Sequence, residues 1–140
     1  MFIAKSETII NAPAPKVWQA LTDPAMVKQW LFGTEMVADW KVGGQIRYKG
    51  VWEGKPYEDK GEILELVPEQ KLITTYWSGF AGKEDKPENY QKVSYLLSEV
   101  SDGTKLTLIQ ENIPTAEAAK HSEGNWNLVL QAMKQLLENN

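Results

Sequence analysis

Asp59 is the side chain of this sequence best placed for proton chemistry. Between Tyr57 and Val67 it shares the parity of Ile63, which is the inward face of a half-buried strand. A carboxyl group drawn out of water has a raised pKa and can serve as general acid or base. Glu62, Glu65 and Asp39 carry the same group, but most such carboxylates stay solvated because an unpaired buried charge is costly. His121, the only histidine, follows Glu117 by four positions, so the two face one way on a helix and offer two metal ligands. Two ligands do not make a site, and with no cysteine and no second histidine neither a metal nor another cofactor is expected. A hydrolytic triad would need His121 as its base, and no strand-turn-helix elbow surrounds any serine. Gly43-Gly44 lacks phosphate-loop spacing and leads into a strand, so it reads as a turn, and Arg47, alternating with Ile46 and Tyr48, faces solvent.

The aromatic residues carry more weight. Six tryptophans in 140 residues exceed ordinary usage, and Trp30, Tyr48, Trp52, Tyr76, Trp77, Tyr95 and Trp126 are spread over nearly every element. Each such ring buries ~150 to 250 Å² and would dominate any core. Yet indole and phenol carry polar handles that need partners once buried, and a core built only for packing more usually takes Leu, Ile or Phe. Several of these rings are therefore expected to line a cavity in which apolar walls and a few polar anchors meet a ligand. The wall candidates are Trp30, Tyr48, Trp52, Tyr76, Tyr95 and Trp126, joined by Val129 and Met133.

The elements that must hold these residues can be read in order. Phe2 to Asn11 is apolar and β-branched enough for a strand, which Pro13 and Pro15 end. A helix begins there with Val17, Trp18, Ala20 and Leu21 on its apolar face. Asp23 then caps a second short helix that has Pro24 at its first position and runs to Trp30. From Met36 the period changes to two, and Ile46, Tyr48 and Trp52 share one face of a strand that ends in a hairpin loop at Glu53-Gly54-Lys55-Pro56. Tyr57 to Val67, Leu72 to Trp77, Tyr90 to Val100 and Lys105 to Asn112 give four further strands of an antiparallel meander, with a long loop from Gly79 to Glu88. After Pro114-Thr115 a closing helix carries Trp126, Val129, Leu130, Met133, Leu136 and Leu137 at helical spacing. Gly124 costs it roughly 1 kcal/mol relative to Ala and predicts a break there. Leu130, Leu136 and Leu137 are expected to pack this helix down, leaving Trp126, Val129 and Met133 for the cavity wall.

Composition narrows the partners. A formal charge of -4 and a pI near 5.1 provide no basic footprint for nucleic acid. The absence of cysteine suits a reducing compartment, so the cytoplasm is expected. No segment reaches the roughly 20 apolar residues that span a bilayer, and the first residues make no signal sequence, so neither membrane insertion nor processing is expected. Residues 1–140 read as one domain, and the oligomeric state is open.

A resemblance runs through almost the whole chain. Ile9-Ile10-Asn11-Ala12-Pro13-Ala14-Pro15-Lys16-Val17-Trp18-Gln19-Ala20-Leu21-Thr22-Asp23-Pro24, then Trp30, then Asp39-Trp40-Lys41-Val42-Gly43-Gly44 resemble the START-like (SRPBCC) superfamily. Within it the chain looks like the bacterial proteins similar to the C-terminal domain of the activator of heat-shock-protein-90 ATPase. Gly61-Glu62-Ile63-Leu64-Glu65-Leu66, Lys71-Leu72-Ile73 and the helix around Trp126 fit the same pattern. The resemblance implies an α+β helix-grip fold: a curved antiparallel sheet of six to seven strands, two short helices after strand 1 and a long C-terminal helix across the concave face. Relatives often open that helix with a histidine and an adjacent Gly-Trp pair. Here His121 fits, but Asn125 separates Gly124 from Trp126 and turns the indole by about 100°.

Helix-grip proteins include lipid carriers, hormone receptors, polyketide cyclases and co-chaperones, so the fold alone leaves function open. The first expectation is binding of a small apolar or aromatic ligand, lipid or polyketide-like, between sheet and C-terminal helix. The second is a cyclase or hydrolase-type enzyme in which Asp59 or a tyrosine positions a proton. The third is a stress-response interaction module whose outer surface contacts a chaperone. The related activator is larger, with an additional N-terminal domain, so full co-chaperone activity is not expected of this chain.

Overall fold

Alternation of apolar and polar residues builds seven strands into a single antiparallel sheet, and the two proline-started helices together with the closing helix cover one face of it. The computed structural model describes residues 2–78 and 84–139, the side chain of Trp52 excepted. In chain order the elements are β1 (Phe2–Ile10), α1 (Ala14–Thr22), α2 (Pro24–Trp30), β2 (Glu35–Ala38), β3 (Gln45–Trp52), β4 (Lys55–Val67), β5 (Lys71–Tyr76), β6 (Gln91–Val100), β7 (Gly103–Ile113) and α3 (Ala116–Glu138). A short 3₁₀ turn at Pro87–Asn89 precedes β6 and overlaps the end of the long loop expected from the sequence; residues 79–83 of that loop lie outside the described residues.

Strands β2 to β7 follow one another as a meander, and β1 returns to pair with β7, giving the order β1-β7-β6-β5-β4-β3-β2. This is the helix-grip architecture expected from the sequence, with seven strands and the two short helices after β1. Asp23 does what its position predicts: its Oδ1 accepts from the Ala25 amide at 2.9 Å while Pro24 begins α2. Thr115 caps α3 in the same way through the Ala118 amide, at 3.0 Å.

Several strand ends shift by one or two residues from the expectation, and two differences have a physical cause. The β3-β4 hairpin turns on Glu53 and Gly54 alone, both with positive φ, so Lys55 and Pro56 belong to β4 instead of the loop. Pro56 is tolerated because it faces Val51, one pair removed from the closing Trp52 and Lys55, where a two-residue hairpin needs no amide donor from it. The second difference is that α3 does not break at Gly124. It runs unbroken for 23 residues, because Val129, Leu130, Met133 and Leu137 are all buried on one face. Burying each such side chain stabilises by about 1.5 to 3 kcal/mol, so the four together outweigh one glycine.

The core is a continuous apolar layer between helices and sheet. It joins Val17 and Leu21 of α1, Val27 and Trp30 of α2, Ile46, Ile63, Leu72, Leu106 and Leu108 of the strands, and the α3 stripe. Polar ties fasten α3 to β1: Ser6 donates to Asn127, Lys134 Nζ to the Ile9 carbonyl at 2.6 Å, and the Asn11 amide to Glu138 at 2.8 Å.

Glycine substitutions at two sites should act in opposite directions. Gly124 is exposed and a Cβ there would meet nothing within 4 Å, so Gly124→Ala should add about 1 kcal/mol of stability through helix propensity. A Cβ on Gly61 would collide with the Thr75 carbonyl oxygen of the neighbouring strand, so Gly61→Ala should remove roughly 1 to 3 kcal/mol. Urea unfolding of the two variants beside the wild type measures both, and a loss of stability in Gly124→Ala would contradict the first.

Candidate functional site

The pleat of the sheet decides which aromatic residues can meet. Tyr48 on β3 stands directly across from Asp59 on β4, so both point to the concave face with Ile46 and Ile63. On that same face β5 contributes Tyr76 beside Leu72 and Thr74, β6 contributes Tyr95 opposite Leu72 and Leu108, and β7 contributes Gln110 opposite Val93. The parity expected for Asp59 and Tyr48 is the one observed, and the register brings Tyr76 and Tyr95 to the same face, so that four strands contribute one residue each. Tyr95 is buried, whereas Tyr48, Tyr76 and Asp59 are half-buried and reachable from solvent.

Hydrogen bonds order the cluster. The Tyr76 hydroxyl donates to Asp59 Oδ2 at 2.8 Å, and the Tyr48 hydroxyl engages that of Tyr95. Asp59 Oδ1 is sealed from solvent and has no hydrogen-bond partner. Burial raises the Asp59 pKa, and contacts with Ser78 and Tyr76 pull it part of the way back. Tyr95 is pushed up to about 12 by burial, moderated by Tyr48. Tyr76 rises through burial and then through the neighbouring Asp59 charge, and Tyr48 rises well above the usual phenol range, chiefly through burial. All three phenols thus stay neutral near neutral pH.

Trp126 completes the arrangement from α3. It lies one helical turn before Val129 and Leu130 on the buried face, and its ring meets Tyr95 edge to face, with centroids 6.3 Å apart and planes at 89°. The Trp126 indole N–H donates to Gln110 Oε1 at 2.7 Å, and Gln110 in turn donates to Gln91. Neither glutamine was among the sequence candidates. The available signal was parity, because Gln110 continues the inward series Leu106, Leu108 and so marks a polar residue on a buried face.

The remaining candidates sit elsewhere. Trp30 is 2% exposed and donates its indole N–H to the Ala20 carbonyl at 2.7 Å, which staples α2 to α1. Val129 and Met133 lie in the same closed apolar cluster as Leu130 and Leu137. Trp52 ends β3 at the hairpin, and its side chain lies outside the described residues. His121 and Glu117 are exposed, and among the described residues no three His, Asp or Glu side chains gather as a metal group. Trp77 belongs to the convex face, stacked on Tyr90 with centroids 6.5 Å apart and the Lys60 ammonium 5.6 Å from its ring. There Arg47, Lys60, Glu62, Asp85 and Tyr90 border a cleft of about 380 Å³. A second cleft of about 640 Å³ lies between Asn11–Pro13 and Val100–Gly103, and neither cleft includes the concave-face tyrosines.

The raised Asp59 pKa makes a pH-dependent contribution to stability. Its native pKa exceeds the unfolded one near 4, so that contribution is full below about pH 4 and is lost as pH rises through the native value. Asn does not titrate. In thermal melts the Tm of Asp59→Asn should therefore gain on the wild type between about pH 4 and pH 7, and a constant difference would count against a raised Asp59 pKa.

Comparison with known proteins agrees with this geometry. The family model described as Activator of Hsp90 ATPase homolog 1-like protein matches residues 11–138. The solution structure of ChR145 from Cytophaga hutchinsonii is 46% identical, over 99% of this chain and 95% of that one, with a TM-score of 0.86. The Aha1 dimer from Colwellia psychrerythraea shares the fold at 21% identity, over 99% of this chain and 97% of that one, with a TM-score of 0.78. DynU16, a protein of the dynemicin biosynthetic locus, shares it at 20% identity and a TM-score of 0.80, over 97% of this chain and 47% of that one. No curated protein matches the sequence significantly.

Proposed function

The chain belongs to the Activator of Hsp90 ATPase homolog 1-like family, and on that footing we propose that it binds a small molecule with an apolar or aromatic body, lipid or polyketide-like, in a cavity between the concave sheet face and α3. The observation that carries this reading is the half-buried cluster of Tyr48, Tyr76, Asp59 and Trp126 over Tyr95, set at the edge of an otherwise apolar layer. Neutral phenols beside aliphatic and aromatic walls are the usual composition of a small-molecule site, in which the apolar part supplies affinity and the polar part orientation. The likeness in fold to a protein of a biosynthetic locus agrees with a small-molecule ligand.

The Asp59–Tyr76 pair supports a second reading, an enzyme of the cyclase or hydrolase kind. A half-buried carboxyl group with a raised pKa, hydrogen-bonded to a phenol, is suited to passing a proton to or from a bound molecule. The convex face offers the chaperone-contact reading less, because Arg47 and Lys60 are already paired with Glu58 and Asp85. No helix of the described residues is long and apolar enough to cross a membrane.

Titration with a polycyclic aromatic ligand or a long-chain fatty acid should change tryptophan fluorescence saturably. The ligand should also raise Tm, since one present at 100 times its Kd stabilises by about 2.7 kcal/mol. Trp126→Phe should remove most of the fluorescence change and leave the Tm shift in place. Absence of any saturable response across both ligand classes would refute the binding reading.

A further inference from the structure

We propose that the ligand is a hydroxylated one, an apolar ring body bearing a hydroxyl group that donates a hydrogen bond to Asp59 Oδ1 on the concave face. This rests on the binding reading above and names the group by which the same site would tell one ligand from another. The observation behind it is the asymmetry of the Asp59 carboxylate. Tyr76 satisfies Oδ2 at 2.8 Å and Ser78 also hydrogen-bonds to the carboxyl group, while the Oδ1 atom is sealed from water without a hydrogen-bond partner. Buried oxygens are satisfied in the great majority of cases, so one that is not asks for a donor from outside the chain.

The neighbours narrow the donor's chemistry. Across the strand pair stands Tyr48, whose hydroxyl is engaged with Tyr95, and the Trp126 N–H is held by Gln110. The cations flanking Asp59 and Tyr48 in sequence, Lys60, Arg47 and Lys49, take the opposite parity and pair with carboxylates on the convex side. The titratable groups facing Asp59 are thus the phenols of Tyr48 and Tyr76, with Tyr95 beyond them, and these stay neutral across the acid range. An ionised carboxylate among neutral phenols pairs strongly with a ligand hydroxyl. A phenol or alcohol on a ring matches both this acceptor and the aromatic wall of Tyr48, Tyr76 and Trp126. Affinity drawn from such a bond requires ionised Asp59 and declines as pH falls through its raised pKa.

Three probes of one shape test the proposal: 2-naphthol, 2-methoxynaphthalene and 2-naphthylmethylamine, titrated by isothermal calorimetry at pH 7.5 and pH 4.5. At pH 7.5 the naphthol should bind roughly tenfold more tightly than the methyl ether, as expected for a hydrogen bond to a charged group. That preference should shrink at pH 4.5, fall to about twofold or threefold in Asp59→Asn, whose amide accepts only as a neutral group, and vanish in Asp59→Ala. If Asp59→Ala does not fold, the Asn variant and the pH series still decide. Equal binding of naphthol and ether would overturn this inference and leave the binding reading standing. Tightest binding of the amine would overturn it in favour of a cationic ligand; no binding by any probe would overturn it too, and the fatty-acid titration above then decides whether the binding reading falls with it.

Discussion

A curved sheet of seven strands has one apolar face that cannot stay in water, and everything else in this molecule depends on how α3 covers it. The stripe Val129, Leu130, Met133 and Leu137 is the covering surface, and all four side chains are buried in one cluster with residues from all seven strands and both short helices. Because the stripe repeats at helical spacing over the second half of α3, its first half need not contribute much to the core. That is why an exposed Gly124 and an exposed His121 are tolerated there. The ties from Lys134 and Glu138 to the end of β1 then fix where along the edge strand the helix lies. With α3 anchored at its C-terminal end, Trp126 becomes the residue at which the apolar stripe meets the polar part of the concave face.

That meeting point is where the structure departs from simple packing. Toward α1 and α2 the inner face consists of Ile46, Ile63, Leu72, Leu106 and Leu108, which have no polar atoms to satisfy. Toward the β3-β4 hairpin it becomes Tyr48, Asp59 and Tyr76, and toward the start of β6 it becomes Gln91 and Gln110. The two glutamines and Trp126 satisfy one another, so that side is internally complete. The Asp59 side is not, since one carboxylate oxygen is buried with no bond to it. Unsatisfied buried acceptors typically cost about 1 to 3 kcal/mol, and this cost falls on the half-buried corner of the cluster formed by Tyr48, Asp59 and Tyr76.

Much of this was legible in the sequence, and for an identifiable reason. Strands with one solvated and one buried face write their orientation into period-two alternation. Tyr48, Asp59 and Ile63 could therefore be placed on one face from parity alone, and Pro13, Pro24 and Asp23 marked the helix starts as they stand in the structure. What could not be read were effects that depend on partners distant in the chain. The hairpin at Glu53-Gly54 is shorter than its four turn-forming residues suggest because Pro56 happens to face a position that needs no donor. Parity marks Gln110 as a polar residue on a buried face but does not reveal its partner, Trp126, sixteen positions later on another element. Gly124 carried a real local cost that distant packing overrides.

The aromatic residues show most clearly how far composition can be pushed. Seven Trp and Tyr side chains stand out in the composition, six of them as candidates for a shared cavity wall, yet the structure sorts them by what satisfies the polar atom of each ring. Trp30 gives its N–H to a backbone carbonyl within the helical layer, and Trp77 gives its own to the Glu84 carbonyl on the convex side, so both handles are spent within the chain. Tyr95 and Trp126 are held by Tyr48, by each other and by Gln110, which fixes them as a rigid floor. Tyr76 hands its hydrogen bond to a carboxylate that faces inward and has one buried oxygen without a partner, unlike Tyr90, whose partner Asp85 lies on the convex side. A ring with a backbone partner is structural however polar it looks. A ring bound to a half-buried carboxylate shapes that carboxylate's charge, and this sets Tyr76 and Asp59 apart from Trp30, Trp77 and Trp126, whose N–H groups go to backbone carbonyls or to Gln110.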